Sequence, residues 1–173
     1  MEDIFLTGPK HCGKTGAGKA LALLCSRDFF DLDDLVAQRT GKTPRELYNE
    51  GAEIFREAEA DALAAFMNSD LKSRVAALGG GVIDNPRAAA MMKNAPMLVY
   101  LDLPANIAWR RINCAGELPP FLKTENPAET HRVLHERRAG AYRRIAKIII
   151  DAEGKTSEEI AVEILSRIDA GKL

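Results

Sequence analysis

The sequence has little of what marks secreted, membrane-spanning or nucleic-acid-binding proteins. Its three cysteines, Cys12, Cys25 and Cys114, follow no regular spacing, which argues against a disulfide framework or a zinc site. No apolar run is long enough to span a bilayer, and the acidic start at 1–3 is unlike a signal peptide. Basic and acidic residues, 24 and 25, nearly cancel, so no overall field attracts nucleic acid or an anionic membrane. We therefore expect a cytoplasmic protein with reduced thiols and no such partners, and we expect a monomer.

What the sequence does contain is a regular alternation of apolar runs and helical patterns over 173 residues, enough for one domain, 1–173. The predicted strands are 4–7, 29–33, 74–81, 97–103 and 148–151. Helices are predicted over 34–50 and 51–68, from Ala105, over 127–146, and after Thr156, which forms a capping box with Glu159. Continuous apolar strands between helices predict an α/β fold with a parallel sheet covered on both faces, whose ligands bind at the carboxyl ends of the strands.

The segment GPKHCGKTGAGKA, 8–20, contains two overlapping copies of the phosphate-binding pattern G-x-x-x-x-G-K. The first copy, Gly8–Thr15, follows a predicted strand, precedes a helix and ends in a hydroxyl residue. These are the requirements of a P-loop, in which backbone N–H groups and a lysine hold phosphate and the hydroxyl holds Mg²⁺. The second copy ends in Ala20 and follows no strand, so the first copy is the predicted phosphate site.

The remaining residues of this segment receive simpler interpretations. Gly16 and Gly18 fall in the helix after the loop, where glycine costs about 1 kcal/mol relative to alanine, so we expect them to allow close packing on the sheet. Lys10 and His11 lie inside the loop and are expected to be solvent-facing, without a role.

Two acidic and basic patterns add chemistry to the phosphate site. Asp31 and Asp33 fall at the end of a predicted strand, where alternation places them on the same side. One carboxylate could hold a Mg²⁺-bound water while the other takes a proton from a hydroxyl, or the acids could simply cap the next helix. Arg56 and Glu59 are three residues apart on a helix, so the glutamate could orient the arginine toward a ligand carboxylate, or the two could form a surface ion pair.

Three consecutive glycines, Gly79, Gly80 and Gly81, follow the third predicted strand. Bare backbone at a strand end allows a small polar ligand to approach closely and bind N–H groups. A flexible turn explains one or two glycines better than three.

Taken in order, these motifs resemble the shikimate kinase family of small P-loop enzymes. The resemblance covers nearly the whole chain and rests on the loop Gly8–Thr15, Asp31 and Asp33, RTG at 39–41, FR at 55–56 with Glu59, GGG at 79–81, YLDLP at 100–104, Arg110-Arg111, and Arg138 with Tyr142. It implies a P-loop NTPase-type three-layer sandwich with a five-stranded parallel sheet in the order 2-3-1-4-5. It also implies transfer of the γ-phosphoryl group of ATP to the 3-hydroxyl of shikimate, a step of aromatic amino-acid biosynthesis.

On the nucleotide side, the resemblance implies that Lys14 stabilises the transferring phosphoryl group and that Arg111 lies against the adenine. Thr15 would bind Mg²⁺, and Asp31 would bind it through water. The other loop positions expected to bind ATP are Gly8, Gly13 and Gly16.

On the substrate side, the resemblance implies that Asp33 contacts the substrate hydroxyl and acts as the base. Arg56 and Arg138 would clamp the substrate carboxylate. The three glycines Gly79, Gly80 and Gly81 would line its ring. The substrate-binding segment would span about 34–60 and a lid about 113–126.

The lid departs from the family pattern, which has an arginine that reaches the substrate and the transferring phosphate. The corresponding segment here is GELPPFL, 116–122, and no arginine occurs between Arg111 and Arg132. A cation at the phosphoryl group contributes about 10³–10⁵ in rate in related P-loop enzymes, so its absence matters. Lys123 or Arg132 could replace it, or the protein could have a changed substrate or little activity.

Two alternatives to a shikimate kinase follow from these motifs. Another small-molecule kinase, of nucleoside monophosphate or gluconate type, would share the loop and the lid. A shikimate-kinase-like protein that binds nucleotide and senses a metabolite would explain the missing lid arginine.

The helix predicted over 127–146 carries a second set of residues that could suggest function. His131 and His135 have the spacing of metal ligands, but they lack a third ligand nearby, so two surface histidines are expected. The segment HERRAGAYRR is basic, and the neutral net charge favours a phosphate-facing edge of the site over an RNA surface.

Overall fold

The chain forms one parallel five-stranded sheet, in a computed structural model that describes residues 2–116 and 118–171. The strands are β1 (Ile4–Thr7), β2 (Phe29–Asp31), β3 (Val75–Ala77), β4 (Met97–Asp102) and β5 (Ile148–Asp151). They lie in the order β2-β3-β1-β4-β5, and every neighbouring pair is parallel. This confirms the expected strand order.

Eight α-helices are observed in the described residues. They are α1 (Lys14–Leu24), α2 (Leu32–Thr40), α3 (Pro44–Glu50), α4 (Ala52–Asn68), α5 (Pro86–Lys93), α6 (Ala105–Cys114), α7 (Pro127–Ile145) and α8 (Ser157–Ala170). Short 3₁₀ turns occur at Val82–Asp84 and Pro120–Leu122.

The strand side chains alternate between two apolar layers, which explains why the strands are continuously hydrophobic. Leu6 and Val99 face the layer formed with α1, α6 and α8. Phe5 and Leu98 face the layer formed with α2, α4 and α5. Helix α7 packs on the same side through Tyr142, whose ring stacks on Tyr100 of β4 at 5.4 Å. The result is the predicted three-layer sandwich.

The strands predicted over 29–33 and 74–81 are both shorter than expected. The strand predicted over 29–33 ends at Asp31, whose side chain accepts a hydrogen bond from the Asp33 N–H and caps α2. The strand predicted over 74–81 ends at Ala77, after which the three glycines lead into the turn Val82–Asp84.

The helix predicted over 34–50 is two helices. Helix α2 ends at Gly41, whose φ of 71° breaks the helical backbone. Helix α3 then begins with a capping box between Thr43 and Glu46. The sequence analysis also missed α5, although Asn85, which caps it, and Pro86 at its first position are typical of a helix start.

The three cysteines are free, with Cys12 buried, Cys25 half-buried and Cys114 exposed. Among residues 2–116 and 118–171, no helix is both long and apolar enough to cross a bilayer.

Candidate active site

Residues 8–13 form the loop between β1 and α1, and Lys14 and Thr15 begin α1, as expected of a P-loop; the loop's two glycines have backbone angles or neighbours that disfavour a side chain. Gly8 has a φ of 155°, and a Cβ there would lie 2.6 Å from the Leu101 carbonyl oxygen. Gly13 caps α1 with a φ of 99°. The loop therefore turns its backbone toward the amino end of α1, where the helix dipole favours anions.

Lys14 is folded against its own loop. Its Nζ donates hydrogen bonds to the carbonyl oxygens of Gly8, at 3.0 Å, and Pro9, at 2.7 Å. The ammonium group therefore lies at the mouth of the loop, where a phosphate would accept these bonds instead.

Gly16 and Gly18 pack closely, as expected, but against different elements. A Cβ on Gly18 would lie 2.5 Å from the Phe29 ring of β2, which confirms packing on the sheet. A Cβ on Gly16 would lie 2.3 Å from Ser157 Oγ, so this glycine packs on α8 and the expectation for it was wrong. Contact between the ends of α1 and α8 brings the β5–α8 connection next to the phosphate loop.

Thr15 and the two aspartates come together at the carboxyl ends of β1 and β2. Thr15 Oγ1 donates to Asp31 Oδ2 at 2.9 Å, and Asp31 Oδ1 accepts from the Asp33 N–H at 3.1 Å. The sequence argument that strand alternation aligns Asp31 and Asp33 was wrong, because α2 begins at Leu32. The hydrogen bond by which Asp31 caps α2 brings the two carboxylates together instead. Asp31 therefore caps the helix and still lies beside Asp33.

The Asp33 carboxylate opens into the site, and its surroundings raise its pKa. Removal from bulk water within the site has the largest effect, and the negative charge of Asp31 adds to it. The ammonium groups of Lys14 and Lys10 act in the opposite direction. A carboxylate with a raised pKa is a better proton acceptor than an ordinary surface aspartate.

Arg56 pairs with Glu53 and not with Glu59, so neither alternative considered for Arg56 and Glu59 describes the structure. Arg56 Nη1 forms an ion pair with Glu53 Oε1, three residues earlier, on the exposed side of α4. Glu59 is 3% exposed and accepts a hydrogen bond from Asn85 Nδ2 at 3.1 Å. Burial, reinforced by Asp33, raises its pKa to about 7 against the opposing effects of Asn85 and the nearby arginines.

Arg138 is oriented by an aspartate that the sequence analysis missed. Its Nε and Nη2 donate to Asp84 Oδ2 at 2.8 and 2.7 Å, and Arg137 pairs with the other oxygen at 2.8 Å. The guanidinium also lies 5.2 Å from the centre of the Phe121 ring in the predicted lid. The only sequence signal for Asp84 was its position just after the three glycines.

The three glycines differ in what surrounds them. A Cβ on Gly80 would lie 2.6 Å from the Gly8 carbonyl oxygen, so Gly80 packs on the phosphate loop itself. A Cβ on Gly81 would lie 3.3 Å from the Arg138 guanidinium, and one on Gly79 would make ordinary contacts with Glu59. The segment therefore joins the phosphate loop to the arginine side of the site.

Arg111, expected at the adenine, reaches the phosphate loop. Its Nη1 donates to the His11 carbonyl oxygen at 2.9 Å. His11 itself has a positive φ of 60°, which is uncommon for a residue other than glycine, and the Arg111 contact holds its carbonyl in place.

One cleft collects most of the predicted site residues. It has a volume of about 540 Å³, within the usual range for small-molecule sites. The predicted residues that line it are Lys14, Thr15, Asp31, Asp33, Arg56, Gly79, Gly80, Gly81 and Arg138. Gly8, Gly13, Gly16 and Arg111 are not among its lining residues and lie at the loop, beside the cleft.

The segment predicted as a lid lines one side of this cleft, and none of its described lining residues is basic. Pro119, Pro120 and Phe121 line the cleft, and Leu122 is fully buried beneath them. Glu117, within the predicted lid at 113–126, lies outside the described residues.

Neither residue considered as a substitute for the lid arginine is among the described residues that line the cleft. Arg132 forms ion pairs with Glu129 at 2.6 Å and Glu136 at 2.8 Å along α7. Lys123 has an interaction partner of its own.

His131 is buried, so the expectation of two surface histidines was wrong for this residue. It is 7% exposed, and its ring lies 5.4 Å from that of Trp109 and 5.5 Å from that of His135. Burial, with smaller effects from His135 and Arg138, lowers its pKa to about 4. No group of three potential metal ligands occurs in the described part of the chain.

A loop that cradles phosphate beside a carboxylate able to take a hydroxyl proton is what phosphoryl transfer to an alcohol requires. Fold and site together therefore define a P-loop small-molecule kinase.

Comparisons with known proteins give the family. A family model described as shikimate kinase matches residues 10–169. The chain is 35% identical to the shikimate kinase of Acinetobacter baylyi over 169 residues, which cover 95% of this chain and 91% of that protein. The chain belongs to the shikimate kinase family, which confirms the predicted resemblance and the predicted class of ATP-dependent phosphotransferase.

Solved structures agree with this assignment. The shikimate kinase from Acinetobacter baumannii, solved in complex with shikimate, has a TM-score of 0.88 and 32% identity, covering 100% of this chain and 96% of that one. The enzyme from Aquifex aeolicus has a TM-score of 0.84 and 27% identity, covering 99% and 98%. A gluconokinase from Sinorhizobium meliloti, at 16% identity and a TM-score of 0.66, covers 98% and 94% and shares the fold alone.

Proposed function

We propose that this protein transfers the γ-phosphoryl group of ATP to the 3-hydroxyl of shikimate. One arrangement carries the proposal: the phosphate-loop lysine, the Asp33 carboxylate and the arginines Arg56 and Arg138 line a single cleft. The cleft therefore offers a phosphate site, a proton acceptor and a carboxylate site within the reach of one small ligand. Family membership and the relative solved with shikimate support this choice of substrate.

On the nucleotide side, backbone N–H groups of the loop and the amino end of α1 would bind the β- and γ-phosphates. Lys14 Nζ would exchange its bonds to the Gly8 and Pro9 carbonyls for bonds to phosphate oxygens. Arg111 would hold the loop through the His11 carbonyl and present its guanidinium to the adenine.

On the substrate side, the guanidinium groups of Arg56 and Arg138 would bind the carboxylate, and Asp84 would keep Arg138 oriented. Asp33 would accept the proton of the attacking hydroxyl. The hydroxyl oxygen would form a bond to the γ-phosphorus as the bond to ADP breaks, with the bonding pair leaving on ADP. The segments at about 34–60 and 113–126 would act as substrate-binding segment and lid.

Mg²⁺ fits the oxygen donors at the mouth of the loop. Thr15 Oγ1 and Asp31 Oδ2 are 2.9 Å apart, and a hydroxyl with a carboxylate suits the preference of Mg²⁺ for oxygen ligands. Thr15 would hold the ion directly and Asp31 through water, and the ion would neutralise phosphate charge.

A coupled assay of ADP release with and without shikimate tests the proposal. We expect turnover that depends on shikimate, and we expect Asp33→Asn to lower kcat by about 10²–10⁴-fold because the proton acceptor is lost. Asp34→Asn is the matched control, since Asp34 is an exposed carboxylate in the same turn of α2 and is not among the described residues that line the cleft. Absence of shikimate-dependent turnover at saturating Mg²⁺-ATP would refute the proposal.

A second candidate function is nucleotide and metabolite binding without efficient transfer, and the absence of an arginine from the segment predicted as a lid favours it. Calorimetry that finds tight binding of ATP and shikimate by a protein forming no product would support this candidate. Assays with gluconate and with nucleoside monophosphates as acceptors distinguish these two candidate functions from a kinase that phosphorylates another acceptor.

We further infer that the protein works as a monomer in the cytoplasm, without nucleic-acid or membrane partners. The three free thiols and the near-zero net charge of −1 support this inference. Sedimentation at micromolar concentration tests the oligomeric state.

A further inference from the structure

Among the described residues, five lysine and arginine side chains line the cleft, and the proposed reaction uses three of them. The three are Lys14, Arg56 and Arg138, and the other two are Lys10 and Arg45. Because the described lid residues at the cleft are two prolines and a phenylalanine, a second cation at the transferring phosphoryl group would have to come from elsewhere in the cleft.

Lys10 has the right position for this cation. It lies in the phosphate loop, next to Pro9, whose carbonyl accepts a bond from Lys14 Nζ at 2.7 Å. It also lines the cleft together with Asp33 and with Phe121 of the lid. Lys10 is thus part of the phosphate loop, and it lines the cleft in which the two substrates are proposed to meet.

The Lys10 ammonium group is available for a ligand. The side chain is exposed, and its ammonium makes no hydrogen bond or ion pair with the residues at 2–116 and 118–171. Arg45, by contrast, lies on α3 and has an interaction partner.

The charge of Lys10 also reaches the reacting groups. Together with Lys14, it opposes the rise in the pKa of Asp33 that removal from bulk water causes. Lys10, Lys14 and Arg111 also act with burial to lower the pKa of His11. Arg45 is not among the groups that shift either pKa. The electrostatic influence of Lys10 is therefore centred on the catalytic carboxylate and the phosphate loop.

We propose that Lys10 is the second cation of phosphoryl transfer, contacting the γ-phosphoryl oxygens in the transition state in place of the missing lid arginine. The proposal rests on the function proposed above. The proton of the hydroxyl goes to Asp33, and the bonding pair of the broken bond leaves with ADP. Because the charge is carried by the loop, it is in place when ATP binds and does not wait for the lid to close.

Steady-state kinetics of Lys10→Met, Lys10→Arg and Lys93→Met test the proposal. We expect Lys10→Met to lower kcat about 10²–10³-fold with less than about a threefold change in the KM for ATP, since the contact forms mainly in the transition state. Lys10→Arg keeps the charge and should retain most of the activity. Lys93→Met, at an exposed lysine in the last turn of α5, is the matched control. A Lys10→Met enzyme with kcat within about threefold of the parent overturns the proposal.

A binding measurement separates failure of this inference from failure of the proposed function. The affinity for Mg²⁺-ADP is measured by calorimetry with and without aluminium fluoride, which mimics the transferring phosphoryl group. If aluminium fluoride no longer increases the affinity for Mg²⁺-ADP in Lys10→Met but still does so in Lys93→Met, the role of Lys10 is supported. This holds even if the parent protein does not phosphorylate shikimate. An equal gain in all variants overturns it.

Discussion

Gly80 shows how a single residue joins two parts of the site. Its backbone packs directly on the Gly8 carbonyl, at a distance that leaves no room for a Cβ. Gly79, one residue earlier, has space for one at ordinary contact distances. The two glycines have the same bare backbone in the sequence, and only the packing distinguishes them.

We predict that Gly80→Ala destabilises the fold and weakens nucleotide binding, while Gly79→Ala does so much less. The added methyl group would push the phosphate loop away from β3, at a cost of about 1–3 kcal/mol for overpacking. Urea unfolding and calorimetric titration with ADP measure both effects. Equal destabilisation by the two substitutions would contradict the steric explanation.

Residue pairings were the least predictable part of the site. Arg56 has a glutamate three residues away on each side, Glu53 and Glu59, and helical spacing alone does not choose between them. The structure chooses because Glu59 faces the core and Glu53 faces solvent. Likewise, the partner of Arg138 is Asp84, 54 residues earlier, a contact that only the folded chain creates.

At the level of elements, helix α7 contacts the segment predicted as a lid, lines the cleft and packs on the core. Arg138 reaches the cleft, Tyr142 stacks on β4 and donates toward the Gly80 carbonyl at 3.4 Å, and His131 packs on Trp109 of α6. A helix tied down at three points along its length holds its arginine in a fixed place. The buried histidine is the pH-sensitive member of this set.

We predict that His131 makes the fold less stable as the pH falls from about 6.5 toward 4. Its pKa is about 4 in the folded protein, below the ordinary histidine value, so the unfolded chain binds the proton first and stability is lost over this range. Uptake of one proton changes the free energy of unfolding by at most about 1.4 kcal/mol per pH unit. The free energy of unfolding, measured in urea at several pH values, should depend less steeply on pH in His131→Phe and in His131→Asn, which has a smaller side chain. Unchanged slopes in both variants would exclude His131 as the source.

Element boundaries were predicted less well than element order. The alternation of apolar and helical segments predicted all five strands, and the resemblance supplied the sheet order that the structure has. The ends of β2 and the break at Gly41 depended on a side-chain cap and a positive φ, which apolar periodicity does not contain. Helix α5 was missed, since no element was assigned between the strands predicted over 74–81 and 97–103.

At the scale of the whole molecule, a buried ion pair fastens the amino ends of two central strands. Asp3, just before β1, accepts hydrogen bonds from the backbone N–H and the guanidinium of Arg74, just before β3, and the side chains are 7% and 3% exposed. Burial alone would raise the pKa of Asp3, but the bonds from Arg74 hold it below its usual value. The Arg74 guanidinium also lies 3.7 Å from the centre of the Phe66 ring.

We predict that Asp3→Asn destabilises the protein by about 3–5 kcal/mol, because it leaves the Arg74 charge buried without its counter-ion. Asp61→Asn is the matched control, since it breaks the pair with Arg87 at 2.7 Å on the surface, where such pairs contribute less than about 1 kcal/mol. The free energy of unfolding in urea measures both. The double variant Asp3→Leu/Arg74→Met should recover part of the loss, and similar costs for Asp3→Asn and Asp61→Asn would contradict the role of burial.

The strand order also bears on how acceptor specificity could change. The phosphate loop follows β1, at the centre of the sheet between β3 and β4, whereas α2, α3 and the start of α4 follow β2 at its edge. An edge segment can be replaced without breaking the hydrogen bonds of the central strands. We therefore expect the proposed substrate-binding segment, about 34–60, to accept a graft from a kinase with another acceptor and so to change the substrate range, provided that the graft keeps apolar side chains at Val36 and Leu47, which pack in the core.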